Sequence, residues 1–310
     1  MPELPEVETI KNDLKQLIIG KEITDIRSEF PNIVKIDFSE FKKEVVGTKI
    51  TEVRRRAKNL IIGLTDHSSQ PLGSGAKKKP ETYDLSPTNY LLIHFKMSGH
   101  VMVTSSDRKV KNGTWLRRDG EFADPQNQFV RIQFFLDDSK QIAFSDLRRF
   151  GYIKLVSQDE LDKFLGEYGP EPLEKGFTIG VLASILQSKK WPVKKVLMEQ
   201  KLIAGIGNIY ADEILFDAKI HPQKPANFLD KNQTKTLLDS IQKILNLALE
   251  NRGTSTSDYR DASGKKGNYG NIRKVYRKTG EPCPYDCGGK IERISLGGRG
   301  THFCPSCQKM

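Results

Sequence analysis

Four cysteines near the end of the chain constrain its fold more than any other sequence feature. They are the only cysteines among 310 residues, and they form two close pairs separated by sixteen residues: Cys283, Cys287, Cys304 and Cys307. Paired cysteines on either side of a predicted β-hairpin are typical of a four-cysteine zinc ribbon. Disulfides are the alternative. The first residues do not have the pattern of an apolar leader, so we expect a cytoplasmic protein, in which disulfides are disfavoured.

The charge of the chain indicates a polyanionic partner. The net charge is +11 with a pI of about 9.3, and residues 251–310 hold 12 Lys/Arg against 5 Asp/Glu. Nucleic acid is the polyanion that proteins bind most often, although a solvated basic surface without a ligand has the same composition. No apolar run is long enough to cross a bilayer, so no membrane partner is expected.

The sequence pattern changes along the chain and predicts an α+β multidomain protein. Residues 1–156 begin with a helical pattern and continue as many short strands, including Ile33–Phe38, which favours a β-sandwich with an N-terminal helix. We expect a linker at 157–175, a helical domain at 176–272 and a zinc finger at 273–310. Two polar stretches, residues 66–89 and 253–270, are predicted to be loops.

The first six residues, Met-Pro-Glu-Leu-Pro-Glu, combine a nucleophile with acids. Removal of Met1 would give Pro2 a free secondary amine, which can form a Schiff base with a sugar aldehyde carbon. Glu3 and Glu6 are spaced to share one helical face and can act as acid and base. Proline and glutamate are also ordinary signals of a helix start, so the stretch alone leaves both interpretations open.

Two further segments have a structural and a functional interpretation. A basic cluster at 54–59 lies between two predicted strands, and such a hairpin turn is either a solvated tip or a phosphate contact. Gly205 and Gly207 precede a predicted helix, where backbone N–H groups can approach an anion or the chain can simply bend.

Taken together, the motifs resemble the formamidopyrimidine-DNA glycosylase family of bacterial type. They occur in the family's order from Pro2 to Cys307: the N-terminal Pro-Glu-Leu-Pro-Glu, His94-x-x-Met97-Ser98-Gly99, Asp146-x-Arg148-Arg149-Phe150-Gly151, Gly207-Asn208-Ile209-Tyr210 and the four-cysteine ribbon. The resemblance implies a β-sandwich, a helix-two-turn-helix domain and a zinc finger that holds one structural Zn²⁺. Lys96 departs from the pattern, since glycine is common at that position, and the loop at 66–89 is long for the family.

The resemblance also implies catalytic roles for four residues. Pro2 would attack C1′ of the damaged nucleotide, and Glu3 would protonate the sugar ring oxygen and assist elimination. Glu6 would support the terminal amine, and Lys58 would reach the lesion and its phosphate from the hairpin turn.

DNA-binding roles follow in the same way. Met97, Arg148 and Phe150 match the residues that fill the gap left by an extruded base, as base-flipping chemistry requires; core packing is the alternative for the two apolar side chains. The other predicted DNA contacts are His94, Arg149, Asn208, Tyr210 and Arg299.

The function that the resemblance implies is a bifunctional DNA glycosylase and AP lyase of base excision repair. It would act as a monomer, in the cytoplasm at the bacterial nucleoid, on double-stranded DNA containing oxidised purines or abasic sites, with the loop at 253–270 capping the lesion. An endonuclease VIII-like enzyme for oxidised pyrimidines and a non-catalytic zinc-ribbon DNA-binding protein are the alternatives.

Overall fold

The computed structural model describes residues 1–66, 86–255 and 258–310. Most of the loop predicted at 66–89 and two residues of the loop predicted at 253–270 therefore lie outside the described residues. No helix in the described ranges is long and apolar enough to span a membrane.

The strands of the described residues form two four-stranded antiparallel sheets and two hairpins. Their bounds are β1 Ile23–Arg27, β2 Lys49–Arg56, β3 Asn59–Thr65, β4 Asn89–His94, β5 His100–Ser105, β6 Val110–Lys111, β7 Thr114–Trp115, β8 Val130–Leu136, β9 Lys140–Ser145, β10 Tyr152–Ser157, β11 Glu292–Leu296 and β12 Arg299–Phe303. One sheet has the order β1-β8-β9-β5 and the other β10-β4-β3-β2, while β6 pairs with β7 and β11 with β12.

Eight α-helices accompany these strands in the described part of the chain. They are α1 Leu4–Leu17, α2 Phe38–Val45, α3 Gln158–Gly166, α4 Ile179–Gln187, α5 Val193–Met198, α6 Asn208–Asp217, α7 Lys231–Glu250 and α8 Tyr269–Ile272. Short 3-10 helices occur at Pro31–Ile33, Gly120–Ala123, Pro125–Gln128 and Ala226–Phe228.

The two large sheets pack face to face, which confirms the predicted sandwich. Alternate residues of their strands, such as Leu60 and Ile62 on one sheet and Ile132 and Phe134 on the other, form a common buried core. Helix α1 adds its apolar face to this core through Val7, Ile10 and Leu14. This packing fixes the start of the chain against the sandwich.

The prediction of a strand at Ile33–Phe38 was wrong. Ile33 ends a 3-10 helix and Phe38 begins α2, and between them Val34 forms only an isolated β-bridge with Ile153. The Asp37 carboxylate accepts hydrogen bonds from the backbone N–H groups of Ser39 and Glu40 and so caps this helix. Phe41 and Val45 then lie one turn apart on its buried face, a period that six residues were too short to reveal.

The linker predicted at 157–175 contains the helix α3. Ser157 and Glu160 form a capping box at its start, and Leu161 packs against Ile61 and Leu92 on the outer face of a sheet. Irregular backbone begins only after this helix. The helical domain then follows, with a second core formed largely by α4, α5, α6 and α7.

Helix α6 is buried on all sides. Its residues from Ile209 to Phe216 are all buried. Three other parts of the chain form hydrogen bonds with this helix: the N-terminus, the β11–β12 hairpin and residues 274–276. The backbone N–H groups of residues 274–276 donate to the Glu213 carboxylate. The site described next is built on its first turn.

Candidate active site and DNA-contacting edge

The carboxylate of Glu3 is held by the N-terminus of α6. Its oxygens accept hydrogen bonds from the backbone N–H groups of Gly207 at 2.8 Å, Ile209 at 2.9 Å and Tyr210 at 3.4 Å. The first turn of a helix offers free donors and a positive dipole end, both of which stabilise a carboxylate. Only glycine fits at position 207, because a Cβ there would lie far inside contact distance of the Glu3 carboxyl carbon. The Glu3 side chain is therefore fixed in place, and the residue is only 2% exposed.

Glu6 lies beside Glu3 and is held by hydrogen bonds of its own. Its carboxylate accepts hydrogen bonds from the backbone N–H groups of Glu3 at 2.8 Å and Thr254 at 2.6 Å, and from the Tyr210 hydroxyl. Burial raises the pKa of Glu6 above its usual range, and the neighbouring Glu3 carboxylate raises it further. We call Glu3, Glu6 and these donors the carboxylate cradle.

The start of the chain lies over the cradle. Burial lowers the pKa of the α-amine, while the charges of Glu3 and Glu6 oppose this effect. Pro2 is buried directly beneath Met1.

Lys58 lies at the tip of the hairpin between β2 and β3, close to the same carboxylates. It is 6% exposed, and burial lowers the pKa of its ammonium group against the opposing charges of Glu3 and Glu6. Ala57 before it has a φ of +51°, so the turn is tight. The structure thus brings all four predicted catalytic residues together.

Two arginines of this hairpin, Arg55 and Arg56, bond within the fold, which matches neither the solvated tip nor the phosphate contact that the sequence left open. The Arg55 guanidinium forms a two-pronged ion pair with Glu171 at 2.6 and 3.0 Å, and Arg56 donates to the carbonyl oxygens of Tyr168 and Gly169. Glu171 also accepts a hydrogen bond from the Ala57 N–H at 2.7 Å. A bidentate, buried pair of this kind fixes geometry, and here it holds the turn that presents Lys58. A single acid between two prolines was the only sequence signal for Glu171.

Met97, Arg148 and Phe150 lie on two adjacent loops, which we call the insertion edge. Asp146 joins the loops: its carboxylate accepts hydrogen bonds from the Ser98 hydroxyl and from the backbone N–H groups of Arg148 and Gly151. Phe150 is 60% exposed, so core packing is excluded for it. Arg148 is exposed and Met97 half-buried. An exposed aromatic ring beside an arginine is suited to enter a base stack.

Three of the other predicted DNA contacts, His94, Asn208 and Arg299, lie near Lys58 or at the start of α6. The Nδ1 atom of His94 accepts a hydrogen bond from the Lys96 N–H at 2.9 Å, and burial lowers the pKa of the ring to about 3. His94 is therefore neutral with its proton on Nε2, a donor that needs no charge. Arg299 is exposed at the start of β12, and the Asn208 side chain donates to the Gly300 carbonyl at 3.1 Å. Lys96 has a φ of +50°, a conformation that glycine adopts without strain.

Two of the predicted DNA contacts are placed differently. Tyr210 is fully buried and bonds to Glu6 and to the Thr254 hydroxyl, so it supports the cradle and cannot reach a phosphate. The Arg149 guanidinium lies over the Phe30 ring at 4.5 Å from its centroid, although the side chain remains exposed. Neither Thr254 nor Phe30 lies in a motif that could have indicated these contacts.

The four cysteine sulfurs form one compact group. Cys283 and Cys307 are 3.6 Å apart, as are Cys287 and Cys304, and all four sulfurs lie within 4.8 Å of one another. Tetrahedral Zn²⁺ with bonds of about 2.3 Å separates its sulfur ligands by about 3.8 Å, so the group fits this ion. Four thiolates leave no open coordination position, which makes the site structural. His302 is not a ligand; it bonds to Asp212 at 3.0 Å and ties the ribbon to α6.

A sandwich, a helix-two-turn-helix domain and a zinc ribbon that meet at an N-terminal pair of carboxylates define the class of helix-two-turn-helix DNA glycosylases. Models of three families match the chain. They are the formamidopyrimidine-DNA glycosylase N-terminal domain at residues 1–153, its H2TH domain at 168–260, and the zinc finger found in FPG and IleRS at 280–309.

Individual proteins agree with these models. Formamidopyrimidine-DNA glycosylase of Streptococcus pneumoniae is 34% identical over 100% of this chain and 99% of its own, and that of Herpetosiphon aurantiacus is 35% identical over 99% and 100%. The structure of the Lactococcus lactis enzyme with DNA containing an abasic site has a TM-score of 0.81 at 34% identity, with 99% and 100% coverage. The chain belongs to the formamidopyrimidine-DNA glycosylase family.

Proposed function

We propose that this protein is a bifunctional DNA glycosylase and AP lyase that removes oxidised purines from double-stranded DNA. The observation that carries the proposal is the fixed Glu3 carboxylate directly beside the chain terminus, with three backbone donors holding it. An amine, an acid and a base at one point are the groups that Schiff-base excision of a nucleotide needs.

The proposed reaction follows from this geometry. After removal of Met1, the Pro2 nitrogen forms a bond to C1′ and loses its proton while the bond from C1′ to the base breaks, and the base leaves with the bonding electron pair and takes up a proton. Glu3 delivers a proton to the ring oxygen, the bond from C1′ to that oxygen breaks, and the sugar ring opens to an iminium. The resulting iminium makes the C2′ proton acidic, and its loss expels the 3′ phosphate and cleaves the strand. Hydrolysis of the iminium then returns the free amine. Lys58 supplies a cation near the phosphate.

DNA binding is supported by the insertion edge and by the basic surface. Structures similar to this chain contain DNA with an abasic site or with Fapy-dG. We infer that Met97, Arg148 and Phe150 fill the space of the extruded nucleotide, and that His94, Asn208 and Arg299 bind the backbone. The oxidised-purine preference rests on the same relatives and on the resemblance of the N-terminal motif.

The remaining proposals concern organisation. We assign residues 1–156 to the catalytic domain, 176–272 to the helix-two-turn-helix domain and 273–310 to the zinc finger, with the loop at 253–270 as the cap over the lesion. We propose a monomer that acts on the nucleoid in the bacterial cytoplasm, by analogy with the bacterial relatives.

A single-turnover assay on two duplexes tests the substrate class. We expect fast excision of 8-oxoguanine opposite cytosine and slow excision of thymine glycol opposite adenine, with Glu3→Gln as the inactive control. Faster release of thymine glycol would assign the endonuclease VIII-like function instead. DNA binding without cleavage of either lesion, or of an abasic site, would indicate a binding protein.

A further inference from the structure

Arg131 on strand β8 is a buried arginine that forms no ion pair with a carboxylate of the described residues. It is 6% exposed, and its Nε donates to the Asp146 backbone carbonyl at 2.8 Å. Within residues 1–66, 86–255 and 258–310 this is the only hydrogen bond of its guanidinium group, and no carboxylate there forms an ion pair with it. An unpaired charge in this position is costly unless another group compensates it.

A second arginine shares the surroundings of Arg131. The Phe30 ring lies 4.5 Å from the guanidinium carbon of Arg131 and 4.5 Å from that of Arg149. Burial lowers the pKa of Arg131, and the positive charge of Arg149 lowers it further, against a smaller opposing effect of the Asp146 charge. Arg149 also adopts a φ of +58°, an uncommon conformation for a residue with a side chain. Two like charges are thus held together on one ring.

The nearest acids are already engaged. Both oxygens of Asp146 accept hydrogen bonds from the insertion-edge loops. Glu29 accepts from the Asn112 N–H at 3.0 Å. The positive charge of the arginine pair is therefore not balanced by an ion pair with a carboxylate in the described part of the chain.

Arg131 faces open space on two sides. It lines a cleft of about 330 Å³ together with Arg27 and Lys109, and a second cleft of about 240 Å³ together with Phe30, Arg149 and Gly151. In the larger cleft Arg27 is already paired with Asp25. Four of the five N–H donors of Arg131 have no partner in the described residues, and the guanidinium fork matches the oxygens of a phosphate.

We propose that Arg131 and Arg149, on the Phe30 ring, form a binding site for a phosphate group, and that its occupant is a phosphodiester of the DNA strand opposite the extruded nucleotide. The assignment to DNA rests on the proposed function. Arg149 lies between Arg148 and Phe150, and Gly151 lines the smaller cleft, so the cleft opens beside the insertion edge. A duplex entered by those two side chains brings its backbone to this point.

The salt dependence of DNA binding tests the proposal. Dissociation constants are measured between 50 and 300 mM KCl for a duplex containing a tetrahydrofuran abasic analogue, which has no aldehyde. Each lost phosphate contact lowers the slope of log K against log salt by about 0.9. We expect this decrease for Arg131→Gln and for the exposed Arg149→Gln, which does not depend on refolding of the core. Arg27→Gln is the control, because Arg27 lines a cleft but is paired, and its slope should stay near that of the wild type.

A second measurement distinguishes the source of the phosphate. The melting temperature is recorded without DNA in 0–50 mM inorganic phosphate at constant ionic strength. A changed DNA slope supports the phosphodiester. An unchanged slope with stabilisation by phosphate that both variants lose assigns the site to a free phosphate compound. If the slope and the stabilisation are the same in all four proteins, the proposal is overturned. If the wild type binds the abasic duplex no more tightly than an undamaged duplex of the same sequence, the result contradicts the proposed function instead.

Discussion

The carboxylate cradle and the insertion edge are built in opposite ways. In the cradle, Glu3 and Glu6 are 2% and 1% exposed, and backbone donors from distant parts of the chain fix them. At the insertion edge, Phe150 is 60% exposed, and hydrogen bonds fix the backbone of its loop, not the ring. Chemistry on a sugar carbon needs groups at fixed positions, whereas entry into a base stack needs side chains free to meet the bases.

Because of this difference, we expect mutations in the two regions to affect folding stability and DNA-related activity differently. Changes in the cradle should alter folding and catalysis together, because its charges are also structural. Changes at the insertion edge should alter DNA binding and excision alone.

The largest effect is expected for Glu3→Gln. General acid–base assistance contributes about 10²–10⁴-fold, so single-turnover base release should fall by that factor. Glu8→Gln is the matched control, since Glu8 lies on the same helix and bonds to Arg55 and Lys11, away from the α6 donors. An unchanged excision rate in folded Glu3→Gln protein would remove Glu3 from the mechanism.

The second-largest effect is expected for loss of the zinc ion. The four-cysteine site holds the ribbon that bonds to α6 through Asp212, so Cys304→Ser should release the ion, lower the melting temperature and weaken DNA binding at least about tenfold. Metal content by mass spectrometry and DNA affinity are measured together, with Ser306→Ala as control. Unchanged affinity without metal would show that the ribbon is dispensable.

Gly207→Ala tests the close approach within the cradle. The added methyl group meets the Glu3 carboxyl, and overpacking of this kind costs about 1–3 kcal/mol of unfolding free energy. Excision should fall as well. The control is Gly180→Ala on the exposed face of α4, where the new methyl group finds only Thr178 at 3.8 Å and should stabilise the helix. Equal stability of the two variants would contradict the predicted contact.

Phe150→Ala tests the insertion edge, where we expect an effect on DNA binding without an effect on stability. Loss of the exposed ring should weaken binding of an abasic duplex about tenfold, as expected for lost stacking of about 1–3 kcal/mol. The unfolding free energy should stay within about 0.5 kcal/mol. A large loss of stability would place the ring in the fold and not in the DNA interface.

The smallest effect concerns pH. Because the pKa of Glu6 is raised in the folded state, its contribution to stability is complete below the unfolded value near 4.5 and is lost as pH rises through the folded value. The melting temperature of the wild type relative to Glu6→Gln should therefore fall between pH 4 and pH 8. A difference that grows with pH would reverse the sign assigned to this carboxyl.

Much of this organisation could be predicted from the sequence because it depends on short-range patterns. Residue patterns indicated a region of short strands followed by a helical region, and cysteine spacing indicated the zinc site. The errors have a tertiary origin. Tyr210 follows Asn208 in one motif, but α6 is buried all round, so its hydroxyl turns inward to Glu6.

The contacts of the arginines were unpredictable for a related reason. Arg55 meets Glu171 across more than one hundred residues, and Arg149 meets Phe30 across a similar separation. Nothing local distinguishes a basic residue that pairs within the fold from one that binds a phosphate.

The most direct test of Pro2 as the nucleophile is borohydride trapping of the processed protein on a duplex with 8-oxoguanine opposite cytosine, followed by peptide mapping. We expect one covalent adduct at the Pro2 nitrogen, and strand cleavage when no reductant is present. An adduct at Lys58, or none on this duplex and on one containing an abasic site, would contradict the proposed mechanism.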